Sequence, residues 1–222
     1  MLTSQLLLDP KLFHPVRPDV TQGVYGYTFC SAPIRVTLTR IDTGGGFAPH
    51  GDRYGHIFIF LSGGGEVLIG TTKQRIEAGG IWTIPAGTIH AISNDQEQAL
   101  LLLSCNVPTT YPLDVPLNNL RAEIPADLPD EHFDPLYATD NFLLERIVSR
   151  GHATAPGSWY QQERPEWVYL LCGGARLAFD HAKPCTLAPG DQLLLPAGLR
   201  HRVDWTAPEA DTIWLALHFI PE

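Results

Sequence analysis

Gly46-Phe47-Ala48-Pro49-His50-Gly51-Asp52-Arg53-Tyr54-Gly55-His56, followed by Gly63, Gly79 and Pro85-Ala86-Gly87-Thr88-Ile89-His90, is the stretch that decides what this chain builds. Side chains alternate faces along a strand, so positions 50, 52 and 56 share parity and point inward together if the segment stays extended. His90 follows the Pro85–Gly87 turn and comes from a different strand. Three imidazoles converging from two strands make a site for a first-row transition metal, and Asp52 completes a nitrogen/oxygen set. Cysteine is absent from the cluster, which argues against a closed structural zinc site and for an ion with open positions. Gly51-Asp52-Arg53 also reads as an ordinary turn, so the role of Asp52 stays open.

Outward from this stretch, short β-branched and aromatic runs alternate with turn residues. Ile34–Arg40, Ile57–Leu61, Glu66–Ile69, Ile81–Ile84 and Ala99–Cys105 are expected strands of the first half. Glu145–Ser149, Trp167–Cys172, Arg176–Phe179, Gln192–Leu195 and Thr212–Phe219 are those of the second. The 222 residues include 20 Gly and 19 Pro, and 44% are hydrophobic, enough for a sizeable core built of short elements. The fold class is all-β, a sandwich or barrel. Gly44–Gly46 and Gly63–Gly65 are expected at hairpin turns. Val107–Asp140 holds six prolines, which remove backbone donors and exclude a central strand. It reads as a linker passing into a short helical turn near Asp130–Leu136, dividing domains at 1–115 and 116–222.

The two halves are repeats. Gly63, Pro85, Gly87 and His90 match Gly173, Pro196, Gly198 and His201, separated by 110 positions at the glycine (63 to 173) and by 111 at the later three (90 to 201, for example). This period fits duplication of a whole β-domain. The frame places Tyr160, Gln162 and Glu166 where the first half has His50, Asp52 and His56. One histidine, one carboxylate and an amide make a poor transition-metal site. The second half is expected to be a barrel kept for packing, or a pocket holding a polar ligand by hydrogen bonds.

A formal charge of -9 and the lack of a Lys/Arg run exclude nucleic acid as a partner class. No segment approaches the roughly 18–20 apolar residues of a membrane span, and Met1–Leu8 lacks the basic region of a signal peptide. Cys30, Cys105, Cys172 and Cys185 form no C-x-x-C pair, so a cytoplasmic chain with reduced thiols is expected. No nucleophile elbow, P-loop or strand-linked dinucleotide motif occurs, and Cys30 and Cys105 sit in apolar strands where a thiol is inert. Tyr54, Phe58, Phe60 and Trp82 are expected to fill the barrel, and Arg53 to be solvated. His14, His132, His152 and His181 carry no signal.

The motif residues resemble those of the cupin superfamily, whose first motif typically carries His-x-His, a glutamate and a glycine, and whose second is a Gly–Pro-x-Gly–His block. Asp52 stands here where the second histidine is usual, and His56 where the glutamate is usual. The total is still three histidines and one carboxylate. From about Asn118 onward the chain is similar to small single-domain cupins, through Ile124–Glu131, Glu145–Gly151, Trp159–Gln162, Glu166–Val168 and His201–Thr206. The resemblance implies two tandem jelly-roll barrels, a divalent transition metal (Fe, Mn, Ni or Zn) and a small-molecule substrate. Cupin barrels often pair through an edge strand, which leaves packing of the two barrels on each other, a homodimer, or both as alternatives. The implied function is a metal-dependent enzyme: a dioxygenase acting on a small aromatic or diketone-like substrate, or a non-redox isomerase or lyase. A non-catalytic small-molecule binding or sensing protein is the alternative from another class.

Overall fold

The computed structural model describes residues 8–17 and 19–221, so all of Met1–Leu8 except Leu8 lies outside the described residues. The chain divides into two compact units, Asp9–Leu120 and Arg121–Pro221.

The first unit opens with a 3-10 turn at Pro10–Leu12. It continues through β1 (His14–Pro15), β2 (Thr21–Cys30), β3 (Arg35–His50), β4 (Gly55–Ser62), β5 (Gly65–Ile69), β6 (Thr72–Ile76), β7 (Ile81–Ile84), β8 (His90–Ser93) and β9 (Leu100–Val107). One antiparallel path runs β2-β3-β9-β4-β7 and another β6-β5-β8, joined through β3. β3 serves both: Arg35–Ile41 pairs with β9, and Gly46–His50 pairs with β8. The sheet therefore curls around a core of inward residues that includes Phe58, Phe60, Val67, Ile92 and Leu102.

Gly44–Gly46 is not a hairpin turn but the interior of β3, at the point where the strand passes from one path to the other. A Cβ on Gly46 would lie 2.2 Å from the Ile92 carbonyl oxygen, so only glycine lets β8 approach. Gly63–Gly65 is also not a hairpin, because β4 and β5 do not pair with each other.

The second unit contains β10 (His132–Ala138), β11 (Phe142–Ser149), β12 (Glu166–Cys172), β13 (Ala175–Phe179), β14 (Ala182–Leu187), β15 (Gln192–Leu195), β16 (His201–Thr206) and β17 (Thr212–Phe219). Its sheets run β10-β11-β17-β12-β15 and β14-β13-β16, the strand order of the first unit repeated. It has its own core, centred on Leu170, Leu177, Leu193 and Ala216.

The expected helical turn at Asp130–Leu136 is instead the start of β10. This edge strand pairs with β11 and shifts register between Pro135 and Tyr137. An edge tolerates proline because one row of its backbone groups needs no partner strand, and burial of Leu136 and Tyr137 holds it to the sheet. Among the described residues no helix is long and apolar enough to cross a membrane.

Candidate metal centre

His50 ends β3, His56 is the second residue of β4 and His90 opens β8, so the donors come from three strands rather than two. The segment does not stay extended: Gly51–Tyr54 is a turn, held where the Gly87 N–H donates to the Asp52 carbonyl oxygen at 2.7 Å. That bond ties the Asp52 loop to the Pro85–Gly87 turn. His50 and His90 are register partners of the β3–β8 pair, with ring centroids 4.4 Å apart.

The four side chains meet at the Asp52 carboxylate. Its Oδ2 lies 3.1 Å from His56 Nε2, 3.3 Å from His50 Nε2 and 3.9 Å from His90 Nε2. The tight set, with every donor atom within 4.8 Å of the others, is His50, Asp52 and His90. His56 adjoins it through its hydrogen bond to Asp52 and a ring centroid 4.7 Å from that of His90. Arg17, which the sequence reading did not single out, donates to Asp52 Oδ1 at 2.8 Å.

Protonation states show whether a cation fits. His50 Nδ1–H donates to the Ala48 carbonyl at 2.7 Å and His90 Nδ1–H to that of Thr88 at 2.9 Å. With Nδ1 occupied in this way, the lone pair of a neutral ring lies on Nε2, the atom directed toward the Asp52 carboxylate. Burial lowers the pKa of His90, and burial together with the neighbouring His90 lowers that of His56 to about 4, so both rings are neutral at pH 7. Burial alone would raise Asp52, but the His56 hydrogen bond and the Arg17 charge outweigh it and hold the carboxyl below its usual range. Imidazole lone pairs and a carboxylate converging on one point are the donor set of a divalent cation, which would take the place of the proton shared by His56 and Asp52. Donor atoms sharing one ion at bonds of about 2.1 Å stand roughly 3–4 Å apart, the range of the three separations from Asp52 Oδ2. The residues fit a metal. The one unsatisfied group is His56 Nδ1, which is buried without a hydrogen-bond partner.

The cluster opens into a cavity of about 530 Å³ within the first barrel. Its walls are mixed: Phe47 and Phe58 are apolar, Thr37, Thr39 and Ser104 carry hydroxyls, and Arg35 stands exposed at the rim. The Arg35 guanidinium has no carboxylate partner among the described residues. Tyr54 also lines the cavity, whereas Phe60 is packed in the core and Trp82 lines a separate surface depression. Arg53 is exposed. His14 lines the cavity wall; His132 instead pairs with Asp134 at 3.0 Å, and His152 donates to the Leu128 carbonyl at 3.1 Å. His181 is exposed. Cys30 and Cys105 are buried, and burial pushes the Cys105 thiol up to about 12.

In the second barrel Tyr160 bridges His201 as His50 pairs with His90, and Gly198 N–H donates to the Gln162 carbonyl as Gly87 does to that of Asp52. Glu166 pairs with Leu195 as His56 does with Ile84. The four positions therefore occupy equivalent places in the pairing pattern, and they line a smaller cavity of about 100 Å³. Glu145 and His218 join them there, unmarked by the sequence reading. The available signal was a charged or polar residue interrupting each of two otherwise apolar runs.

Residues 37–106 match the family model described as a cupin domain. The fold is similar to that of a "Cupin 2 conserved barrel domain protein" from Leptotrichia buccalis, with TM-score 0.65 and 17% identity over 89% of each chain. A Ralstonia eutropha JMP134 protein described as a "putative mannose-6-phosphate isomerase" is 41% identical over 46% of this chain and 96% of that one, with TM-score 0.45. No curated protein matches the chain.

Proposed function

The chain belongs to the cupin superfamily, and from that premise we propose that its first barrel is a metal-dependent enzyme site, with His50, His56, His90 and Asp52 as ligands. The observation that carries this reading is the convergence of His50, His56 and His90 Nε2 on Asp52 Oδ2, at 3.3, 3.1 and 3.9 Å. Bound there, a divalent ion such as iron, manganese, nickel or zinc supplies Lewis acidity and, if iron, redox chemistry with O₂.

The remaining roles belong to the chain's own residues. The carbonyls of Ala48 and Thr88 orient two imidazoles, and Arg17 neutralises and steers the Asp52 carboxylate. Phe47 and Phe58 shield the donors from water. Arg35, unpaired at the rim, suits the anionic oxygen of an enolate or carboxylate substrate. No Glu or Lys lines this cavity among the described residues. We favour oxygenative cleavage of a small aromatic or diketone-like substrate, because a histidine-rich donor set suits Fe(II).

The test is elemental analysis of the purified protein, wild type beside His50→Ala and His90→Ala, with O₂ uptake followed on small aromatic and 1,3-diketone substrates. Stoichiometric metal in the wild type, lost from both variants, and metal-dependent O₂ uptake are expected. Metal content unchanged in both variants would remove the site from these residues. Turnover without O₂ uptake would make the protein an isomerase or lyase, and thermal stabilisation by a ligand without turnover would make it a binding or sensing protein.

A further inference from the structure

The cavity of the second barrel differs from the first in charge, and the strand registers show how. His56 faces Asn106 across the β4–β9 pair where Glu166 faces His218 across β12–β17. Thr37 faces Ser104 where Glu145 faces Ala216. A threonine and an asparagine of the first cavity are thus replaced by a glutamate and a histidine in the second. Glu131, Glu145 and Glu166 all line it, and no Arg or Lys does among the described residues. His218 is the partner of two of these carboxylates, 3.0 Å from Glu145 Oε1 and 3.9 Å from Glu166 Oε1.

One group is left over. Glu166 is 6% exposed, and its Oε2 is buried with no hydrogen-bond partner. Across the gap His201 Nε2 stands 3.7 Å from it. His201 Nδ1–H already donates to the Leu199 carbonyl at 3.0 Å, so in the neutral ring Nε2 is a second acceptor facing the first. A buried carboxylate oxygen without a donor carries a large desolvation cost. What is missing is a positively charged donor. The other walls, among them Val168, Leu177, Leu195 and Trp214, are apolar. Phe133 and Tyr160, 49% and 39% exposed, bring the cavity to the surface.

We propose that the second barrel binds a small organic cation, a protonated amine or amidine on a short apolar body. Its N–H groups bridge Glu166 Oε2 and His201 Nε2, and its carbons pack on Leu177 and Trp214. A metal ion fits less well, because the only group of three or more His, Cys, Asp or Glu donors drawn tightly together among the described residues is in the first barrel. The cavity, at about 100 Å³, is below the roughly 150 Å³ that accommodates benzene, which limits the body to a few carbons. The inference stands apart from the first-barrel chemistry.

The test is calorimetric titration of the full-length protein with n-butylammonium chloride, 1-butanol and sodium butyrate. Butylammonium is expected to bind at one site about tenfold or more tighter than the neutral alcohol, the difference between a charge-assisted and a neutral hydrogen bond, and butyrate not at all. Glu166→Gln is expected to reduce butylammonium to the level of the alcohol, and His90→Ala to leave it bound. Equal affinity for amine and alcohol in the wild type, a comparison that needs no variant to fold, would overturn the assignment. So would undiminished binding by Glu166→Gln, or loss of binding in His90→Ala. Zinc added to His90→Ala is expected not to displace the amine; stoichiometric displacement would make the pocket a metal site instead.

Discussion

An imidazole becomes a directed lone pair only when its other nitrogen is occupied, and in this chain the carbonyl two residues upstream does that three times, for His50, His90 and His201. The device is local, and the histidines themselves were legible from the glycine and proline frame around them. Their partners were not. Arg17 reaches Asp52 from 35 positions away, and His218 reaches Glu145 across 73; nothing in the spacing announces either contact. The His218 pair has a measurable consequence. Burial alone would lower its pKa, but the hydrogen bond to Glu145 and the charges of Glu166 and Glu145 outweigh it and raise the value. With the folded value above the unfolded one of about 6.5, the pair's full contribution is present below that pH and is lost as pH rises through the folded value. Glu145→Gln should therefore lower stability by on the order of 1–3 kcal/mol at about pH 6, with the gap to wild type narrowing toward about pH 9. Denaturant titrations at both pH values measure it, and a gap independent of pH would contradict a cationic His218.

Among elements, β3 has the most consequence for the site. Its sixteen residues serve two strand paths, and its last residue is a proposed ligand. The triple glycine reads as a turn in the sequence, but glycine is permitted in turn and strand alike, and composition does not declare which. The close approach of β8 decides the matter. Gly46→Ala would drive a Cβ into the Ile92 carbonyl and push β8, with His90, away from His50. The expected cost is about 1–3 kcal/mol, seen as a lower melting temperature together with weakened metal retention. A melting temperature and metal content equal to wild type would show that the approach is not tight. β10 goes in the opposite direction: its proline, Pro135, suggests a break, but an edge strand accommodates it.

For the whole molecule, one strand order occurs twice with different polar side chains at the two cavity floors. Each unit has a core assembled from its own residues, the physical requirement for a domain to fold alone. Residues 121–221 expressed by themselves are expected to give a β-rich circular dichroism spectrum and a cooperative melt; a molten chain without a transition would show that this core is insufficient. The sequence by itself determined the all-β class, the duplication and the histidine candidates 50, 56 and 90, because these rest on apolar periodicity and on glycine and proline a few positions from each histidine. Only the tertiary structure decided that β3 joins both paths, that the donors come from three strands, and that Arg17, Glu145 and His218 face the sites. Those facts depend on which distant strands become neighbours, and hydrophobic periodicity specifies the face a residue takes but not the strand that will lie opposite.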